Sequence, residues 1–144
     1  MNTNKTFLEK ITAEGLEVRF ERLATIKFLS DRKCKLIETK NLGPVDLYNP
    51  ENKAIDLLSN ENMSIQLYKN KVGPIYWHRS LDCDEIIICL SGKAKWLTED
   101  GEYDMKEGDI MYIPKGISHI RVAIDDSEFI AIEIKTKLPF KLDI

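Results

Sequence analysis

The chain of 144 residues holds only two histidines, His78 and His119, and three cysteines, Cys34, Cys83 and Cys89. Three thiols cannot all pair, and none forms a CxxC, so a reduced intracellular protein is expected. There is no excess of positive charge. Lys and Arg number 21 against 24 Asp and Glu, the two signs are interspersed, and the formal net charge is −3. A nucleic-acid partner would call for a basic face, so that class is disfavoured. No apolar run approaches the roughly 20 residues needed to cross a bilayer. The opening MNTNKTFLEK lacks the apolar stretch of a signal peptide, so a cytoplasmic location is expected. No internal repeat, low-complexity tract or domain boundary stands out.

What remains is globular composition, 43% hydrophobic and 31% charged, in a length suited to one domain with a real core. NKTFLEKITAEG reads as a short helix ending at Gly15, GLEVRFERLATIKFLS as a half-buried strand and CKLIE as another. NLGPVDLYNPENK, with two prolines, reads as a loop. From about residue 62 the chain becomes a series of short β runs: MSIQLYK, GPIYWH, EIIICLS, KAKWLT, EYDM, DIMYIP, HIRVAI and EFIAIEIK. Turn signals separate them, and Asp100-Gly101 is placed to turn a hairpin within TEDGEYDM. Many short strands at close spacing predict an all-β sandwich or barrel. The expected organisation is a single domain over 1–144, with 1–60 an extension packed on a core barrel at 61–135.

Both histidines fall in two patterned stretches. The first, GPIYWHRSLDCDEIIICLSG, runs from Gly73 through His78, Ser80 and Glu85 to Gly92. The second, GDIMYIPKGISH, runs from Gly108 through Pro114 and Gly116 to His119. These stretches resemble the two signature motifs of the cupin superfamily. The first matches at its first His (His78), its Glu (Glu85) and its closing Gly (Gly92); the second matches at Gly108, Pro114, Gly116 and His119. The resemblance implies a double-stranded β-helix, or jelly roll, with ligands pointing into the barrel. It departs from the pattern at Ser80, where a second motif-one His is usual, at Ala123, where an Asn is frequent, and at Gly73, one residue close to His78.

Strand alternation gives these positions a physical reading of their own. Residues two apart share a face, so His78 goes with Tyr76 and Ser80, Glu85 with Ile87 and Cys89, and His119 with Arg121 and Ala123. A carboxylate facing a barrel interior must be protonated, paired or bound to a cation. Two imidazoles and one carboxylate form the ligand set of facial-triad iron sites. His78, Glu85 and His119 are therefore the candidate metal ligands. A divalent ion is the expected cofactor, iron first, with zinc, manganese or nickel as alternatives. Ser80, a poor ligand, would hydrogen-bond a metal-bound water. Ser80, Tyr76, Cys89 and Arg121 are candidate pocket residues, Arg121 as an anchor for a substrate carboxylate.

Weaker candidates are Cys83 as a further ligand and a hydrolase built on Ser80, His78 and Asp82. The latter lacks a nucleophile-elbow signal. Trp77, Tyr76 and Trp96 read as core or rim packing, any of which could wall an aromatic pocket. The string Tyr76-Trp77-His78-Arg79-Ser80 followed by Glu85 is similar to the ligand region of homogentisate 1,2-dioxygenase-like barrels. The expectation is a metal-dependent dioxygenase-like enzyme acting on a small anionic, aromatic-type substrate. The alternatives are a ligand-binding or sensor cupin without catalysis, and a metal-assisted isomerase or epimerase. A homodimer is expected.

Overall fold

The computed structural model describes residues 6–11, 16–21, 34–43, 46–51, 53–73 and 76–144, in two compact units, Met1–Leu36 and Ile37–Ile144. The first unit contains a β-hairpin of β1 (Thr6–Ile11) and β2 (Leu16–Glu21), antiparallel, with Phe7 opposite Phe20 and Lys10 opposite Glu17. This corrects the expected N-terminal helix over its described part. The TFLEKI stretch satisfies its backbone groups across a ladder to β2, and Thr, Phe and Ile suit that extended state. The strand expected after Gly15 is β2. Residues 12–15 lie outside the described residues.

CKLIE forms no strand: residues 34–38 have no regular structure and lead into a 3-10 turn at Thr39–Asn41. A strand needs a ladder partner, and none pairs with this segment among the described residues.

The second unit is all-β. Its strands are β3 (Ile55–Ser59), β4 (Met63–Asn70), β5 (Asp84–Ser91), β6 (Lys93–Thr98), β7 (Gly101–Lys106), β8 (Ile110–Ile113), β9 (His119–Ala123) and β10 (Phe129–Thr136). They form a five-stranded sheet in the order β3-β4-β10-β5-β8 and a three-stranded sheet in the order β7-β6-β9, with antiparallel pairing throughout. This is the jelly-roll arrangement the sequence predicts. The edge strand β3 was not anticipated, and it draws residues upstream of 61 into the larger sheet. The hairpin in TEDGEYDM forms as expected, with Thr98 opposite Gly101; of the pair Asp100-Gly101, only the glycine has a positive φ. GPIYWH does not form a strand in its described part. Only His78 pairs there, in an isolated bridge to His119.

The core lies between the sheets and is built from alternate residues of each strand: Ile87 and Cys89, Ala94 and Trp96, Met105, Ile113, and Phe129 and Ala131. The period-2 alternation places Glu85 inward with Ile87 on β5, Arg121 with His119 on β9, and Glu133 with Ala131 on β10. No helix among the described residues is long and apolar enough to cross a membrane.

Candidate functional site

The two motif stretches are joined by backbone bonds before any side chain is considered. His78 N–H donates to His119 O at 3.1 Å, and His119 N–H donates to His78 O at 2.9 Å. Gly116 N–H donates to Ser80 O at 2.8 Å, binding the turn of the second stretch to the loop of the first. Asp84, buried at the head of β5, accepts from Lys115 N–H at 2.9 Å and from Tyr112 Oη at 2.8 Å. These bonds hold the Pro114–Gly116 turn that delivers His119 to the start of β9.

The imidazole rings of His78 and His119 consequently sit 4.5 Å apart, edge to face. His119 is buried, and its Nδ1 lies 2.9 Å from Ile117 O. A proton on Nδ1 donated to that carbonyl turns Nε2 towards Glu85, whose Oε2 is 3.2 Å away. The other oxygen of Glu85 accepts from Ser80 Oγ at 2.7 Å and lies 3.7 Å from Lys135 Nζ. Ser80 therefore orients the carboxylate directly, where the sequence pointed to a bond with a bound water.

The charges follow from these contacts. Burial pushes the Glu85 carboxyl up, but hydrogen bonds from His119 and Ser80 and the charges of His119 and Lys135 outweigh it, holding Glu85 below the ordinary glutamate range. Burial pushes His119 down, but its hydrogen bonds to Glu85 and to Ile117 O and the charges of Glu85 and Glu133 together outweigh that, so its pKa is raised. His78 is lowered by burial and by the neighbouring His119. Glu133 is raised by burial. The site thus holds one committed anion, Glu85, and one imidazole that prefers a proton.

A cavity of about 70 Å3 opens beside the histidines, lined by Tyr68, His78, Ile87, Trp96, His119, Arg121, Phe129, Ala131 and Glu133. At roughly 10–15 Å3 per water it has room for a handful of waters or a ligand of that bulk. Tyr68, His78 and Glu133 also border a wider outer recess, which includes Tyr76 and Lys135.

Of the predicted pocket residues, Arg121 lines the inner cavity and Tyr76 the outer recess, while Ser80 acts through Glu85. Cys89 is a buried core residue whose thiol donates to Ser91 O and Gly92 O, and it does not line the cavity. Cys83 is buried just ahead of β5. The Ser80 hydroxyl is committed to Glu85, which leaves the Ser80–His78–Asp82 hydrolase arrangement without support. Trp96 walls the cavity, whereas Trp77 is half-exposed. Sequence reasoning missed Tyr68, Phe129, Glu133 and Lys135. Glu133 and Lys135 share the odd-numbered face of FIAIEIK with Ala131, but alternation alone does not mark that face as the inner one.

Cupin domains often bind metal ions, and two of the three predicted ligands are placed as neighbours in one coordination sphere would be. With bonds of about 2.0–2.2 Å to each donor, adjacent ligands lie about 3 Å apart, close to the 3.2 Å between His119 Nε2 and Glu85 Oε2. The Nδ1 contact to a backbone carbonyl is also the usual support of a ligating imidazole. His78 brings a third donor ring alongside. Even so, no group of three His, Cys, Asp or Glu among the described residues surrounds a common cation position. The donor chemistry and the Glu85–His119 edge fit a cation, and the exposed His78 ring is the third donor beside that edge.

Comparison with known proteins agrees with this architecture. The cupin domain family matches residues 65–135. Convicilin of Pisum sativum is 30% identical over 113 residues, 75% of this chain and 29% of that protein. A candidate dioxygenase of Saccharolobus solfataricus is 33% identical over 82 residues, 56% of this chain and 21% of that protein. Glucose-6-phosphate isomerase of Pyrococcus furiosus is 28% identical over 135 residues, 84% of this chain and 71% of that protein. The chain thus spans less than a third of the first two relatives. Among solved structures, a cupin-2 domain protein of Shewanella frigidimarina superposes with a TM-score of 0.53 at 23% identity, covering 62% of this chain and 85% of that one. With both motif stretches folded onto one barrel and the family matched across them, the chain belongs to the cupin superfamily.

Proposed function

We propose that this protein is a metal-binding cupin enzyme of the dioxygenase type, acting on a compact anionic substrate, with His119, Glu85 and His78 as the protein ligands. The observation that carries the reading is the buried His119–Glu85 contact at 3.2 Å, with the His78 ring beside it on the wall of the cavity. A bound divalent ion would supply Lewis acidity and open positions for substrate and oxygen. The chain's own residues supply the rest. Ser80 fixes the rotamer of Glu85, and Ile117 O fixes the tautomer of His119. Ile87, Phe129 and Ala131 give the inner cavity an apolar wall, and Arg121 gives it a fixed positive charge.

The test is to load the purified protein with iron(II), zinc or manganese, measure bound metal, and follow oxygen uptake with small carboxylate and catechol-type substrates. Near-stoichiometric metal that is lost in His119→Ala supports the proposal; no metal above trace after reconstitution overturns it. A second reading, a metal-assisted isomerase, is favoured by the match to the Pyrococcus isomerase along 84% of this chain. It predicts turnover of a sugar phosphate without oxygen. A third, a binding barrel without catalysis, is favoured by the serine at position 80 and predicts ligand-induced stabilisation with no turnover.

A further inference from the structure

The end of the cavity formed by Trp96 and Arg121 carries donors that pair with no carboxylate among the described residues, Glu133 of the same cavity included. Trp96 Nε1 is buried, and it has no hydrogen-bond partner among the described residues. Arg121 is 3% exposed, and no carboxylate lies within ion-pair distance of it among the described residues. Its guanidinium spends Nη2 on Val72 O at 2.6 Å and on Tyr68 Oη at 3.3 Å. The rings of Tyr68 and Phe129 lie 5.1 and 4.8 Å from its centre. Those contacts offset part of the desolvation of a guanidinium, but a ring face and a carbonyl neutralise no charge. A buried N–H without an acceptor has given up its hydration and gained no bond in return. Trp96 Nε1 is such a group, and beside it lies a buried guanidinium with no carboxylate partner among the described residues, a combination that packing does not explain.

Trp96 and Arg121 are also directly opposed in the β6–β9 register, so their side chains leave the same face of neighbouring strands. Both line the cavity, together with Ile87, Phe129 and Ala131.

We propose that this end is a carboxylate subsite. One oxygen of a small monocarboxylate accepts from the free guanidinium N–H groups of Arg121 and the other from Trp96 Nε1–H, while a short hydrocarbon portion lies against Ile87, Phe129 and Ala131. A planar two-oxygen anion matches two donors side by side, whereas a tetrahedral phosphate would leave oxygens facing those apolar walls. The proposal deepens the anionic-substrate reading by naming the ligand class, and it rests on that reading for taking this cavity as the substrate pocket. The subsite itself needs no metal.

The experiment measures thermal shift and tryptophan fluorescence with acetate, pyruvate and, as a neutral isostere, acetamide. Protein is used as purified and after chelation, alongside Trp96→Phe and Arg121→Gln. Acetate and pyruvate should stabilise both preparations of the parent, and acetamide should not. Trp96→Phe removes the indole donor and keeps an aromatic ring in the core; with folding checked by its thermal melt, it should bind the carboxylates about tenfold more weakly. Should Arg121→Gln fail to fold, Trp96→Phe still decides the matter. Equal responses to acetate and acetamide, or undiminished carboxylate binding by Trp96→Phe, would overturn the subsite. Carboxylate binding in a protein that takes up no metal would overturn the enzyme reading and leave the subsite standing. Metal uptake without any carboxylate response would do the reverse.

Discussion

His119 and Glu85 meet at 3.2 Å inside the barrel, with side chains 2% and 4% exposed. Each is the other's main reason for holding its charge. Glu85 raises the pKa of His119, and His119 lowers that of Glu85. Breaking a buried pair of this kind by removing one partner costs roughly 3–5 kcal/mol. Glu85→Ala should therefore destabilise the metal-free protein by about that much in urea denaturation. A loss below about 1 kcal/mol, the range of an exposed pair, would mean the two groups are solvated in the working protein.

The pair also sets a pH window. His119 has a folded pKa above its ordinary 6.5. Its contribution to stability is complete below 6.5 and is lost as pH climbs through the raised value. Glu85 is depressed from 4.5, so its contribution is complete above 4.5 and is lost as pH falls through the lowered value. Without metal, the stability difference between the parent and His119→Gln should be largest between about pH 4.5 and 6.5 and shrink on the alkaline side. Denaturation curves at pH 5.5 and 8.5 check this, and a difference that grows at pH 8.5 would contradict it.

A metal ion must compete with the proton that His119 prefers. Binding should release protons, and apparent affinity should rise with pH up to the point where His119 is neutral. Calorimetry in two buffers of different ionisation enthalpy reads the proton release. Zero release would mean that His119 is not a ligand.

Ser80 holds Glu85 Oε1 through a 2.7 Å hydrogen bond. Ser80→Ala removes a bond to a charged group and should cost about 1.5–3 kcal/mol less any solvent compensation. Ser80→His restores an imidazole at the position where the family motif has one. It should tighten zinc or iron binding by at least tenfold. Unchanged affinity would show that position 80 does not face the cation.

Gly73 passes so close to β9 that a Cβ there would lie 1.9 Å from Arg121 O. That contact is with backbone, so no rotamer can relieve it. Gly73→Ala should destabilise by at least the roughly 1–3 kcal/mol typical of overpacking. It should also weaken carboxylate binding, because it displaces the segment carrying Val72 O, which holds the Arg121 guanidinium. A variant as stable as the parent would show that the two segments are not packed this tightly.

Much of the site was legible because local alternation carries it. His119 and Arg121 stand two apart on β9, and Glu85, Ile87 and Cys89 follow the same rule on β5, so their facing could be read from spacing. Of the turn residues of the second motif, Gly108 marked the β7–β8 turn and Pro114 and Gly116 the β8–β9 connection, and both glycines have a positive φ. The N-terminal segment was misread because TFLEKI is compatible with either state, and only its pairing with β2 selects the strand.

By itself the sequence determined the β architecture, the family and the three candidate ligands, since each depends on spacing along the chain. Tertiary structure alone decided what those residues do to one another. In β10 the isoleucines 130, 132 and 134 alternate with Phe129, Ala131, Glu133 and Lys135, and periodicity cannot say which set faces inward. The sheet order, with β10 between β4 and β5, turns Glu133 towards the histidines and brings Lys135 to Glu85. Likewise, nothing along the chain links Trp96 to Arg121, 25 positions apart by number. Their side-by-side donors exist because β6 and β9 pair in one register, and a shift of one residue would turn one of the two out of the barrel.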